Sequence, residues 1–185
     1  AVTLAAARAG RRVTLFERNE PAVGASVRNF GLVWPIGQPA GPTHDLALRS
    51  REIWREVIPS LGLYHEESGS LALAYQPDEA AVLGEYLERL GTSPHGRRWL
   101  TASEVAKLSP AAITDGLLGG MHSPTEITVD PREAIRALPR WLHDRFGVEL
   151  RFGTHVHSVG EGRVETGTEC WRVDRVFVCG GQDFE

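Results

Sequence analysis

The feature that most constrains this chain is an alanine-rich helical run that ends in glycine and leads straight into a buried-type strand stopping on a carboxylate. Ala1–Ala9 (AVTLAAARA) favours helix, Gly10 follows as a stop, and Arg11-Arg12 lead into Val13–Glu17 (VTLFE). VTLFE is nearly continuous in apolar and β-branched residues, as expected of a parallel strand covered on both faces. Helix, glycine, strand and acidic terminus in that order form the second half of a βαβ unit, which holds a nucleotide at the carboxyl edge of its sheet. A small-residue loop, Gly24–Gly31 (GASVRNFG), follows and re-enters apolar sequence at Leu32–Trp34.

In such a unit a first strand and a GxGxxG turn precede the helix, with the acidic residue about 20 residues further on. Counting back from Glu17, that turn falls just ahead of Ala1. The chain has no initiator Met, opens inside a helix pattern and ends on Asp183-Phe184-Glu185 directly after a glycine pair, so it reads as a fragment of a longer protein. Glu17 by itself has two readings. It is either a carboxylate that accepts hydrogen bonds from ribose hydroxyls and repels a 2′-phosphate, or a charge that solvates a strand end. The loop after it favours the ribose.

Beyond the loop, Thr43–Leu61 reads as an amphipathic helix with Leu46, Ile53, Trp54 and Val57 on one face, Thr43 as N-cap and Gly62 as stop. The texture then changes. GSLALAY reads as a strand, Asp78–Leu90 as a helix, LGTSPHGRRW as a loop, and Thr101–Leu108 as a short helix with a Ser103 or Thr101 start, ended by Ser109-Pro110. Residues 63–125 are therefore expected to form an inserted lobe between two segments of a nucleotide domain, 1–62 and 126–185. The return is marked by Asp130-Pro131, an N-cap with Pro at the first helical position. The helix expected over Arg132–Phe146 carries Pro139 as a blemish that should kink it. VELRFGTHVHSV reads as one strand with a bulge at Gly153, GRVETG and ECWRV as a hairpin or meander, and DRVFVCGG as a buried strand ending in two glycines.

Composition narrows the partners. The chain has 185 residues and a net charge of −4, with no basic run interleaved with aromatics, so nucleic acid is not expected. No apolar stretch reaches the roughly 20 residues of a spanning helix, and a cytoplasmic, soluble protein is the default. Cys170 and Cys179 lack CxxC spacing and are expected to be buried as small apolar residues. His155 and His157 alternate on the expected strand, but no third ligand has metal-site spacing, and no metal is expected.

Taken together, helix–Gly–Arg–Arg–VTLFERN, GASVRNFGLVWPIGQP, the inserted lobe, the DPREA helix, VELRFGTHVHSV and VFVCGG resemble the FAD-dependent amine and amino-acid oxidoreductases. That group includes D-amino-acid oxidase, glycine oxidase and sarcosine oxidase, and the long loop is most similar to a bacterial branch proposed to oxidise aminophosphonates. The resemblance implies an α/β fold: a Rossmann-type FAD-binding domain, incomplete here, with an inserted α+β substrate lobe. It implies that Glu17 binds the adenosine ribose with Arg18 beside it near the adenine. It implies that Gly24, Ala25, Ser26 and Asn29 line the pyrophosphate and ribityl region, and that Gly31 and Leu32 bring backbone close to the flavin ring. Val156 matches the position whose backbone meets the adenine, and Gly180 and Gly181 match the small residues under the pyrophosphate. No catalytic residue is implied. Trp34, His44, His122 and Arg28 are weak substrate-facing candidates, better explained as packing or surface groups. Arg28 is the most interesting, because a guanidinium suits a phosphonate or carboxylate.

The function expected is oxidation of the C–N bond of a small primary or secondary amine by hydride transfer to FAD, followed by imine hydrolysis, with the fragment itself inactive. Two other classes stand beside it. One is an NAD-dependent dehydrogenase, disfavoured by the small-residue loop, and the other a non-catalytic nucleotide-fold fragment.

Overall fold

A computed structural model describes residues 1–90 and 95–181; the GTSP part of the expected loop, residues 91–94, lies outside the described residues. In chain order it comprises α1 (Val2–Arg8), β1 (Thr14–Phe16), β2 (Leu32–Val33), α2 (Pro42–Leu61), β3 (His65–Glu66), β4 (Ser70–Ala74) and α3 (Pro77–Leu90). These are followed by β5 (Arg98–Leu100), α4 (Ala102–Leu108), β6 (Gly119–Ser123), β7 (Ile127–Val129) and α5 (Pro131–Phe146). The last elements are β8 (Glu149–Arg151), β9 (Val156–Gly160), β10 (Arg163–Thr166) and β11 (Cys170–Arg172). Short 3₁₀ turns occupy Ala25–Val27 and Pro35–Gly37.

The chain divides into two compact units, Ala1–Phe30 with Asp130–Glu185, and Gly31–Val129 between them in sequence. In the first unit β1 pairs in parallel with β8, Leu15 opposite Leu150, and the ladder continues past the strand where Glu17 N donates to Arg151 O at 2.9 Å. α5 follows from Asp130, whose carboxylate accepts from the Arg132 and Glu133 N–H groups at 2.8 and 3.2 Å. It ends at Gly147 in the left-handed region, φ 67°. Pro139 lies inside the helix, which runs unbroken from Pro131 to Phe146. Among the described residues of this unit, Ala134, Leu142, Val148 and Val164 are the buried apolar side chains.

The second unit holds the larger core. Its two antiparallel sheets have the strand orders β2-β7-β3 and β4-β6-β5. Leu100, Val105 and Leu117 form a buried cluster over the latter, joined by Leu71, Leu73 and Tyr75. α4 starts with a complete capping box: Thr101 Oγ1 accepts from Glu104 N, and the Glu104 carboxylate accepts from Thr101 N at 2.8 Å. α2 begins differently from expectation. Its N-cap is Gly41 and no side chain caps it, so Thr43 lies inside the first turn.

Several expectations fail for identifiable reasons. VELRFGTHVHSV is not one bulged strand. Gly153 adopts φ 64° and its N–H donates to Asn19 O at 3.3 Å, which ends β8; β9 then joins a separate antiparallel sheet with β10 and β11. His155 therefore precedes β9, although its ring still stacks on that of His157 at 4.7 Å. DRVFVCGG forms no strand in its described part, and Phe177 and Val178 are 58% and 59% exposed. An apolar β-type segment needs a partner edge to satisfy its backbone, and no strand pairs with it among the described residues. Cys170 and Cys179 are both exposed, Cys170 because β11 is an edge strand and Cys179 because it lies in that strandless segment. β1 is half-buried along its length rather than covered on both faces, since its two-stranded parallel sheet is narrow.

Candidate functional site

In the first unit the C-terminal end of β1 delivers Glu17. Its Oε1 accepts from the Asn19 backbone N–H at 2.9 Å and from Asn19 Nδ2 at 3.2 Å. Both bonds fall on one oxygen, and among the described residues no hydrogen bond engages the other. The backbone of Glu17 is tied on each side of the residue, through Arg151 O and through Thr154 N, which donates to Glu17 O at 3.0 Å. A half-buried carboxylate fixed by a tight local turn at a parallel strand's carboxyl end fits a ribose diol. Arg18 beside it is exposed.

Gly24 caps the 3₁₀ turn, no side chain caps its first N–H groups, and a Cβ on Gly24 would meet nothing within 4 Å. Ala25 and Ser26 lie in that turn and are exposed, and Asn29 Nδ2 donates to Ser26 O at 2.8 Å, pinning the loop from behind. Small side chains and open backbone fit a pyrophosphate, which takes backbone N–H groups more readily than full charges. Val156 opens β9, half-buried. Gly180 and Gly181 are exposed, Gly181 with φ 67°.

Gly31 and Leu32 belong to the second unit. Gly31 is buried with φ 70° and accepts from Val129 N at 2.7 Å, while Leu32 pairs with Thr128 on β7. Trp34 is 44% exposed and Arg28 exposed. His122 is half-buried on β6, and its pKa is lowered, first by burial and then by Arg98. His44, in the first turn of α2, is 7% exposed; burial, then Arg97, then His95 lower its pKa, so it sits as a neutral imidazole beside the Arg97 guanidinium.

Two features escape sequence reasoning. Glu126 is fully buried inside TEITV, where its neighbours read simply as strand. In the first unit a cleft of about 510 Å³ is lined by Glu20, Val27, Arg132, Arg136, Arg140 and Phe152, among others. Its three arginines stand at i, i+4 and i+8 on α5, a spacing visible in the sequence once the helix is assigned. Among the described residues no three His, Cys, Asp or Glu side chains gather to hold a metal ion, and no helix is long and apolar enough to cross a membrane.

A family model described as DAO, FAD dependent oxidoreductase, matches residues 1–184. The chain belongs to the DAO family of FAD-dependent oxidoreductases. Among solved structures, this DAO-family chain is similar to L-proline dehydrogenase from P. horikoshii, with a TM-score of 0.81 and 20% identity over 94% of this chain and 47% of that one. It is similar to glycine oxidase from Geobacillus kaustophilus, with a TM-score of 0.82 and 22% identity over 94% and 50%. Iminodiacetate oxidase from Chelativorans sp. BNC1 gives a TM-score of 0.67 and 25% identity over 89% and 46%. The DAO-family chain thus spans about half the length of the solved structures it matches. No curated protein matches it in sequence.

Proposed function

We propose that the full-length protein oxidises the C–N bond of a small primary or secondary amine, an amino acid or an aminophosphonate, with FAD as hydride acceptor. The observation that carries this reading is the family match across residues 1–184. FAD, when bound, supplies the electron sink; the protein's part is to orient the amine and exclude water. The carbon beside a neutral amine gives up a hydride, and the nitrogen loses a proton. Water then adds to the resulting imine, and ammonia or an amine leaves.

In this reading the first unit carries the cofactor. Glu17 accepts from the adenosine ribose with Arg18 near the adenine, and Gly24, Ala25, Ser26 and Asn29 line the pyrophosphate and ribityl chain. Val156 meets the adenine through its backbone, and Gly180 and Gly181 lie under the pyrophosphate. Gly31 and Leu32 approach the flavin ring, and the inserted residues 63–125 supply the substrate lobe. Support comes from the Glu17 oxygen that Asn19 does not engage and from the uncapped turn after Gly24. Iminodiacetate oxidase and glycine oxidase, whose names specify amines bearing carboxylates, support an amine with an acidic group. Two unpaired cysteines support a cytoplasmic setting.

The full-length protein is expected to purify with a flavin absorption spectrum that bleaches under an anaerobic amine. A colourless protein that binds NAD would overturn the reading. Glu17→Ala should weaken FAD binding about tenfold, the loss of one or two hydrogen bonds to a charged acceptor, while the far-ultraviolet circular dichroism stays unchanged. Unaltered FAD affinity removes Glu17 from the site. Assay with both amino acids and aminophosphonates decides the substrate class.

A further inference from the structure

The second unit contains a cation, Arg97, for which the described residues supply no paired carboxylate. Arg97 is half-buried, and its Nε is enclosed with no hydrogen-bond partner. Its terminal Nη2 meets His44 Nε2, a ring nitrogen that brings no negative charge. Gly96, with φ 71°, turns the chain just before it. No carboxylate pairs with Arg97 among the described residues. The nearest enclosed acid, Glu126, is already occupied: Oε1 accepts from Ile36 N at 3.1 Å and Thr125 Oγ1 at 2.8 Å, and Oε2 from Ser70 Oγ at 3.1 Å. Asp45, the other acid near His44, is exposed. Leaving the enclosed Nε–H without an acceptor costs roughly 1–3 kcal/mol, a cost that an anion accepting from it would remove.

A second imidazole and a helix N-terminus lie at the same place. The His95 ring lies 5.4 Å from that of His44. His44 itself stands in the first turn of α2, a 20-residue helix whose N-terminus has no side-chain cap. The positive end of a long helix adds attraction for an anion.

We propose that Arg97, His44 and His95 form an oxyanion-binding site at the start of α2, suited to a phosphate or phosphonate group. The guanidinium offers its unpartnered Nε–H, and two imidazole rings stand beside it, a mixed set of polar groups that suits an anion with several oxygens. Two sources present that chemistry: the acidic group of an aminophosphonate substrate, or free inorganic phosphate. The anion site rests on the amine-oxidase reading only for the choice between these sources; the site itself is independent of flavin.

The experiment is thermal unfolding and isothermal titration of the full-length protein with inorganic phosphate, against chloride at matched ionic strength. Phosphate should raise the unfolding midpoint of the wild type. Arg97→Gln should lower phosphate affinity about tenfold or more, the loss of a charge-assisted bond, and Arg97→Lys less. Should Arg97→Gln not fold, His95→Gln carries the test with a smaller expected loss. If the anion belongs to the substrate, 2-aminoethylphosphonate displaces phosphate, and Arg97→Lys raises KM for that amine with kcat unchanged. If it is free phosphate, binding persists during turnover without competition. A wild type that responds to phosphate no more than to chloride, or a folded variant that keeps full phosphate affinity, overturns the proposal. A protein that lacks flavin yet binds phosphate through Arg97 would defeat the amine-oxidase reading and leave the anion site standing.

Discussion

Glu126 is a carboxylate at 0% exposure, held by one backbone N–H and two hydroxyls that together replace its lost hydration. Removing it strands the Ile36 N–H in the interior and opens a void. Glu126→Ala is therefore expected to cost about 3 kcal/mol, the scale of losing charge-assisted bonds and leaving a buried donor unpaired, measurable as a lower urea midpoint. A loss below measurement error would mean that water replaces the carboxylate. His122, on β6, gives a pH signature. Burial and Arg98 hold its folded pKa below the ordinary value, so the unfolded chain takes up its proton first. The stabilising contribution is complete above the unfolded value of about 6.5 and is lost as pH falls from there toward the lowered folded value. The unfolding midpoint should drop between about pH 7 and pH 5, and His122→Asn should drop less over the same range. Some slope should persist in the variant, since the pKa of His44 is also lowered, chiefly by burial. Equal slopes in wild type and variant would show that His122 does not titrate on folding.

Elements whose ends carry local chemistry are the ones the sequence makes legible. The Asp130-Pro131 start of α5 and the Thr101 start of α4 rest on side-chain bonds within three residues, and the Gly147 stop on a left-handed glycine, so all three leave a mark in the local sequence. Thr101→Ala should cost about 1 kcal/mol, read from denaturant midpoints, and Thr101→Ser should recover most of it. Strand boundaries depend on partners far along the chain, and here local reading fails. Nothing in VELRFGTHVHSV reveals that Asn19 O, over a hundred residues away, captures the Gly153 N–H and ends β8. Nor does GLLGG signal how closely β5 crosses β6. Gly119 has φ 154°, and a Cβ there would overlap the Trp99 indole and approach Leu100 O at 2.6 Å. Gly119→Ala should thus break the β5–β6 ladder and cost about 3 kcal/mol, the upper range for overpacking a tight site. A variant of wild-type stability with unchanged Trp99 fluorescence would show that the indole simply swings aside.

At the scale of the whole chain, the fold class was legible because helix–Gly–strand–Glu is a local pattern, and the parallel β1–β8 pair realises it. The candidate site was legible only in pieces. Glu17 stands at its strand end, but Gly31 and Leu32 fall in the second compact unit while Gly24–Asn29 fall in the first, a division set by long-range pairing with β7. The two units are unequally supported. Among the described residues, eleven of the fifteen buried apolar side chains lie in Gly31–Val129, and four in the unit that carries the parallel pair. A two-stranded sheet with so few buried contacts is marginal in water, and among the described residues no strand pairs with segment 174–180, whose Phe177 and Val178 are 58% and 59% exposed. Exposed β-type sequence with unsatisfied backbone is a template for intermolecular pairing. The 185-residue chain on its own is therefore expected to self-associate as its concentration rises, seen by light scattering, and to bind a hydrophobic dye. Replacing both Phe177 and Val178 by Ser should remove most of the dye signal and raise the concentration at which association begins. If the chain stays monomeric and dye-silent at high concentration, or if the double variant associates like the parent, residues 174–180 are not the sticky segment, and the apolar run is satisfied within the fold.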